Sequence, residues 1–228
     1  MADSEPIIRF QGLRKSFGDR VVLDGIDLDI PRGETTVVLG PSGTGKSVLI
    51  KLLVGLLHAD EGSILVDGTD VTTAGHNELF ALRKRIGMLF QDGALFDSMS
   101  VGENIAFPLR RHTSLSDTEI AEQVALRLRQ VGLPGTEDMA PSSLSGGMRK
   151  RVSLARAVVL EPEILLFDEP NSGLDPITSD EIDALIAEMK EELGITFIVI
   201  SHDIVGAFAI ADKIAMLYNG TVVAEGRP

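Results

Sequence analysis

The sequence predicts an α/β fold in which a parallel sheet is covered by helices on both faces. A β-rich segment precedes this core, and a helical arm is inserted in it. Three observations carry the prediction. The runs Val37-Val38-Leu39, Ile164-Leu165-Leu166-Phe167 and Phe197-Ile198-Val199-Ile200 are short and wholly apolar, as strands buried on both faces are. Helical patterns alternate with them, the arrangement of a parallel sheet with crossover helices. From about Asp92 to Leu160 the chain shows helical spacing and no strand pattern.

Taken in order, Ile7, Ile8 and Phe10 lead into Gly12, and Val21-Val22-Leu23 reaches a predicted turn at Asp24-Gly25. Ile26, Leu28 and Ile30 then alternate with Asp27 and Asp29, the period of a half-buried antiparallel strand. After Val37–Leu39 and a glycine-rich turn, Val48, Leu49, Leu52, Leu53 and Leu56 have helical spacing. Ser116 with Glu119 forms a capping box for a helix with the stripe Ile120, Val124, Leu128 and Val131, stopped by Gly132. Thr178 with Glu181 predicts a second box, before the stripe Ile182, Leu185, Ile186 and Met189, with Gly194 at the end. Val222–Gly226 closes the chain as a hairpin-like segment.

Composition excludes several function classes. Of 228 residues 44% are hydrophobic, which excludes disorder as the main state. The net charge of −13 argues against a nucleic-acid binder, which needs clustered Lys and Arg to displace counterions. There is no cysteine, so disulfides, thiolate metal sites and cysteine nucleophiles are excluded. The start, Met1 to Pro6, lacks the basic and apolar regions of a signal peptide. The longest apolar stretch, Val48–Leu57, is broken by Lys51 and is far shorter than the roughly 20 residues that span a bilayer. A soluble chain is expected, whose membrane role is borrowed from a partner.

Gly40-Pro41-Ser42-Gly43-Thr44-Gly45-Lys46-Ser47 fits G-x-x-x-x-G-K-[ST], between an apolar strand and a helix. Glycines let backbone N–H groups approach phosphate oxygens without a Cβ clash, and the helix start adds its positive dipole. Lys46 is placed to bind β- and γ-phosphates as a compact charge and the Ser47 hydroxyl to ligate Mg²⁺. Ile164–Phe167 ends in Asp168-Glu169, and ligands of open α/β sheets lie at the carboxyl ends of strands. Asp168 is then the Mg²⁺-side carboxylate and Glu169 the group that accepts a proton from the attacking water. Taken alone, the pair also fits an ordinary strand end. His202 follows the next apolar strand and fits either a turn residue or the same ligand edge. His58, His76 and His112 have no such setting.

From about Ile7 to Gly226 the sequence resembles the ATP-binding-cassette ATPases. Leu144-Ser145-Gly146-Gly147-Met148 is similar to their signature motif, ahead of a helix carrying Arg149, Lys150, Arg151 and Arg156. On residues alone it is also a helix cap with two glycines. The resemblance implies a P-loop NTPase (RecA-like) core with an N-terminal antiparallel β subdomain and an inserted helical subdomain at about 92–160, in a single domain over 7–228. It implies that Ser145, Gly146 and Gly147 bind the γ-phosphate held by a second copy, so that two chains sandwich two ATP molecules. It also implies that Phe17 stacks on adenine, that Gln91 senses Mg²⁺ and water, that Ser172-Gly173-Leu174-Asp175 is the D-loop, and that His202 contacts the γ-phosphate. Met148 replaces the commoner Gln, and Val48 a commoner second hydroxyl. Many members continue beyond the position of Pro228 with a further helix.

This chain lacks the long coiled coils of the DNA-repair members and the second cassette of the translation members, which favours a transporter motor. Gly93-Ala94-Leu95-Phe96 and Phe107-Pro108-Leu109-Arg110 with His112-Thr113 are similar to ATPases of MCE-associated (Mla-type) phospholipid transporters. That resemblance implies an integral-membrane permease docked on Leu95, Phe96 and Met99, an MCE-domain lipid-binding protein, and a peripheral place on the cytoplasmic face of the inner membrane. The same three side chains also fit the core of the helical arm. An importer of a small polar solute, a cell-division-type conformational switch and a nucleic-acid ATPase are the alternatives.

Overall fold

The computed structural model describes residues 6–91 and 93–228. The acidic start up to Glu5, and Asp92 at the expected border of the helical arm, lie outside the described residues. In chain order these form β1 (Pro6–Phe17), β2 (Arg20–Pro31), β3 (Thr35–Leu39), α1 (Lys46–Leu53), β4 (Glu61–Val66), β5 (Thr69–Asp70), α2 (His76–Lys84) and β6 (Ile86–Leu89). There follow α3 (Val101–His112), α4 (Asp117–Gln130), a 3-10 turn at Pro141–Ser143, α5 (Gly146–Val158), β7 (Ile164–Asp168) and α6 (Pro176–Leu193). The chain ends with β8 (Thr196–Ser201), α7 (Ile204–Ile210), β9 (Lys213–Tyr218) and β10 (Thr221–Gly226). Two compact units result, one of residues up to Arg83 with Lys190–Pro228 and one of Lys84–Met189.

In the first unit, β2, β1, β4 and β5 form an antiparallel sheet in that order. The predicted turn at Asp24-Gly25 is instead a bulge: β2 continues through it, and the register shifts between the pairs Leu13–Ile26 and Arg14–Asp24. Gly25 takes φ 75°, the left-handed conformation that lets one extra residue loop out of a ladder. β3 lies parallel between β8 and β9, and β10 pairs antiparallel with β9. All five β3 residues are buried, as the apolar run predicts. α1 buries Leu49, Ile50, Leu52 and Leu53, but Leu56 lies beyond its end and is exposed. The helix stops because Gly55 turns the chain at φ 66°.

In the second unit, β6 and β7 run parallel. Within residues 93–160 the described elements are helical. α4 begins with the predicted Ser116–Glu119 box and buries Ile120, Val124, Leu128 and Val131. The predicted box at Thr178–Glu181 does not form. α6 starts earlier, at Pro176, because the Asp175 carboxylate accepts from the Ile177 and Thr178 N–H groups, both at 3.1 Å. Glu181 pairs instead with Arg151 at 3.0 Å. The stripe Ile182, Leu185, Ile186 and Met189 is buried as its spacing predicts. Truncating Phe167, which is fully buried in β7, would remove about 3–5 kcal/mol.

Candidate functional site

In the first unit, the turn after β3 carries the phosphate-loop residues. A Cβ on Gly40 would lie 2.3 Å from the Leu217 carbonyl oxygen, so only glycine lets the loop lie against β9. Gly45 caps α1 at φ 103°, and the helix has no acidic residue in its first turn to neutralise its N-terminal dipole. Lys46 Nζ donates to the Gly40 and Pro41 carbonyls at 2.7 and 3.0 Å, which holds its buried ammonium over the loop. Thr44 Oγ1 donates to Pro41 O at 2.9 Å. Ser42 and Gly43 are exposed, and Ser47 and Val48 are half-buried in the first turn of α1. The loop thus presents N–H groups and a fixed cation, a cradle for an anion.

The same unit brings His202 to this loop. His202 lines a cavity of about 450 Å³ with Leu39, Gly40, Pro41, Met216 and Tyr218. Phe17, half-exposed at the end of β1, carries the Lys15 ammonium 5.5 Å from its ring centroid.

The second unit gathers the remaining predicted residues. β7 ends in buried Asp168 and half-buried Glu169. Glu169 takes φ 50°, a strained conformation for a residue with a side chain. The Gln91 side-chain amide donates to Ser172 Oγ at 3.2 Å, which joins two motifs far apart in sequence. Ser145 caps α5, its Oγ accepting from the Met148 N–H at 3.2 Å, and α5 has no acidic residue in its first turn. The signature glycines pack on the 172–178 segment. A Cβ on Gly147 would lie 2.6 Å from Thr178 Cγ2, and one on Gly146 3.2 Å from Leu174. Asp175 accepts from Thr178 Oγ1 at 2.6 Å as well as from the two N–H groups, and these bonds hold its carboxyl below the usual carboxylate range. Gly173 and Asp175 are exposed and Ser172 and Leu174 half-buried.

A groove of about 430 Å³ also lies in this unit, lined by Ile86, Met88, Phe90, Phe96, Phe107 and Arg156 among others. The exposed Phe96 ring stands 5.2 Å from that of Phe107, tilted by 56°. Leu95 and Met99 are half-buried and are not among the lining residues. Two residues here escape sequence reasoning. Asn104 is fully buried, its Oδ1 accepting from Phe96 N–H at 2.8 Å and its Nδ2 donating to Phe96 O at 3.1 Å. Lys150 is buried in α5 although the sequence places it in a basic run. A polar residue inside an otherwise apolar helical stripe was the available signal for Asn104. For Lys150 there was none.

Known proteins place this geometry. The model of the ABC transporter family matches residues 23–172. The chain is 47% identical over 219 residues to the probable ribonucleotide transport ATP-binding protein mkl of Mycobacterium leprae, covering 96% of this chain and 63% of that protein. It therefore spans less than two thirds of that relative's length. It is 44% identical over 223 residues to the intermembrane phospholipid transport system ATP-binding protein MlaF of Haemophilus influenzae, covering 98% and 84% of the two chains. With MlaF of Escherichia coli strain K12 it is 44% identical over 209 residues, covering 92% and 78%. Among solved structures, cbiO1 of Clostridium perfringens, part of the ABC transporter complex cbiONQ, superposes with TM-score 0.90 at 35% identity, covering 99% of this chain and 90% of that one. A dimeric post-hydrolysis structure of the ATP-binding cassette MJ0796, bound to ADP and Pi, superposes with TM-score 0.87 at 30% identity, covering 96% and 98%. With a family match over more than half of its length, this chain belongs to the ABC transporter family and is one of its ATPase cassettes.

Proposed function

We propose that this chain is the ATP-hydrolysing motor subunit of a transporter that moves phospholipids between the inner and outer membranes of a bacterial envelope. The observation that carries the reading is 44% identity, over nearly the whole chain, to two proteins described as intermembrane phospholipid transport ATP-binding proteins. In this reading residues 7–228 form one nucleotide-binding domain with a helical subdomain at about 92–160. Two copies sandwich ATP, as the dimers of MJ0796 suggest by likeness. An integral-membrane permease seats on the groove at Phe96, with Leu95 and Met99 beside it, and an MCE-domain protein receives the lipid. No described helix is long and apolar enough to cross a membrane, and the proposed place is peripheral, on the cytoplasmic face of the inner membrane.

The residues divide the work by chemistry. Lys46 and the N–H groups from Gly40 to Val48 bind the phosphates, and the Phe17 ring stacks on the base. Ser47, Asp168 and Gln91 offer hydroxyl, carboxylate and amide oxygens, the hard donor set that suits Mg²⁺. When bound, the ion neutralises charge on the β- and γ-phosphate oxygens. A carboxylate oxygen of Glu169 takes a proton from the attacking water, and a His202 ring N–H donates to the γ-phosphate. Ser145 with the amides of Gly146 and Gly147 binds the nucleotide of the second copy, and Ser172 to Asp175 carry the contact between copies.

A second reading, transport of a ribonucleotide, is favoured by the 47% identity to mkl. Reconstitution with the membrane protein that co-purifies with this chain from native membranes separates the two. Under ATP the vesicles should move a fluorescent phospholipid and leave a radiolabelled ribonucleotide outside. Uptake of the ribonucleotide without lipid movement would replace the first reading by the second.

A further inference from the structure

Lys150, Ser153 and Arg156 follow one another at three-residue steps along α5, which puts them on one face of the helix. All three reach the same stretch of chain. Lys150 Nζ donates to the Gln91 carbonyl. Ser153 Oγ stands 2.8 Å from both the Gly93 carbonyl and the Arg149 carbonyl of its own helix, its one proton shared between them. Arg156 is forked, with Nη1 on the Ala94 carbonyl at 2.8 Å and Nη2 on the Gly93 carbonyl at 2.9 Å. Its guanidinium also lies 5.9 Å from the Phe96 ring centroid. Lys150 and Ser153 are buried, so these bonds form away from competing water.

Of the stretch they hold, residues 93–96 belong to no described strand or helix. Gly93 and Ala94 both take positive φ, 77° and 49°. A Cβ on Gly93 would lie 2.7 Å from Ser153 Oγ, which shows how closely the backbone lies on the helix. Beyond Phe96 the chain is pinned by Asn104, whose Nδ2 also donates to Ser100 O at 2.9 Å. Lys150 Nζ further reaches the Glu169 carbonyl at 3.5 Å. One helix therefore carries the signature Ser145 at its head and, down one face, the donors that hold the Gln91 segment.

We propose that Lys150, Ser153 and Arg156 are positioning residues that hold Gln91 and residues 93–96 as a rigid extension of α5. Movement of Ser145 on nucleotide closure is then delivered without slack to Gln91 and to Phe96 on the groove wall. The proposal rests on the motor reading for what closure accomplishes, while the rigidity itself does not.

Two measurements on the purified chain test it. The Gly93 N–H donates to Phe90 O at 2.9 Å and the Phe96 N–H to Asn104 Oδ1, so both amides report on the segment. Without nucleotide, Lys150→Met, Ser153→Ala and Arg156→Met should each speed their hydrogen exchange about three- to tenfold, the worth of one side-chain hydrogen bond. Arg156→Lys should fall between wild type and Arg156→Met, and α4 amides should keep their wild-type rates. With ATP, kcat should fall about three- to tenfold at unchanged KM. Ser153→Ala removes one hydroxyl and keeps the helix, so it decides the matter if a larger change fails to fold. Wild-type exchange at Gly93 and Phe96 in all three variants would overturn the proposal. So would loosening of α4 together with the segment in Ser153→Ala, or a raised KM at unchanged kcat. A wild-type chain that hydrolyses no ATP would sink the motor reading instead, with the ladder still decided by exchange.

Discussion

The side-chain amide of Gln91 donates to Ser172 Oγ across 3.2 Å, although 81 positions separate the two residues. This bond joins the turn after β6 to the turn after β7, the two parallel neighbours of the second unit. β7 ends at Asp168, Glu169 follows it, and the Ser172 N–H donates to the Glu169 carbonyl at 3.1 Å. Gln91, Glu169 and Ser172, proposed for metal, water and dimer contact, thus share one short network, and the proposed roles are separable by substitution.

Glu169→Gln keeps the shape of the side chain and removes its basicity. It should bind ATP with near-normal affinity and lose about 10²–10⁴-fold in turnover. Lys46→Ala should instead lose the affinity, because the phosphates lack their counter-charge. Calorimetry and phosphate release measure the two. Near-normal turnover of Glu169→Gln removes it from the proton-accepting role.

The signature is tested by mixing. Ser145→Arg should abolish hydrolysis and leave ATP binding to the monomer intact. In a heterodimer of Ser145→Arg with Lys46→Ala, one composite site carries both lesions and the other carries neither. Activity should return in the mixture if one intact site turns over alone. Full activity of Ser145→Arg by itself would show that the motif does not act on the second copy.

Gly147→Ala probes how closely α5 lies on α6. Its Cβ would meet Thr178 Cγ2 at 2.6 Å, an overpacking worth about 1–3 kcal/mol of stability. Thr178→Ser deletes that methyl and retains the hydroxyl that donates to Asp175. The double variant should recover most of the loss in urea unfolding. Additive losses would show that the contact is relieved elsewhere.

Phe96→Asp tests the groove. The ring is 44% exposed, so the isolated chain should stay folded, losing the pairing with Phe107, about 0.5–1.5 kcal/mol, beyond the burial of the covered part of the ring. ATP binding should persist while the subunit fails to co-purify with its permease. Unfolding of the isolated chain would place Phe96 in the core.

His112 ties stability to pH. Burial, then the positive charges of Lys84 and Arg111, hold its imidazole below the ordinary 6.5. The unfolded imidazole binds a proton first as pH falls, so its contribution is complete above about 6.5 and is lost as pH drops through the folded value. Wild type should therefore lose more stability than His112→Gln between about pH 7.5 and 5.5, measured by urea unfolding. Parallel losses in the two proteins would exclude the effect.

Local physics made much of this legible in sequence. A run such as Val37–Leu39 has no polar residue to face water, so it is buried on both faces wherever it lies. The Ser116–Glu119 box closes within four residues and needs no distant partner. The phosphate loop is similar in part, since Lys46 Nζ donates to the Gly40 and Pro41 carbonyls of the same turn. Where a distant group competes, local reading failed. Thr178 and Glu181 resemble a cap, but Asp175 takes the N–H groups and Arg151 takes Glu181. β6 has too little apolar periodicity to announce itself, because Gly87 must be small where α5 crosses it, its Cβ falling 2.3 Å from Ala157 O. Lys150 looks like one more surface cation of a basic helix. Only the packed chain turns it inward, because the carbonyls of Gln91 and Glu169 that accept its ammonium come from segments 59 and 19 residues away. The sequence by itself determined most of the elements and which residue types each motif brings together, since these depend on neighbours within a turn or two. The tertiary structure decided which side chains meet, because donors and acceptors far apart in the chain find one another only after the core has been buried.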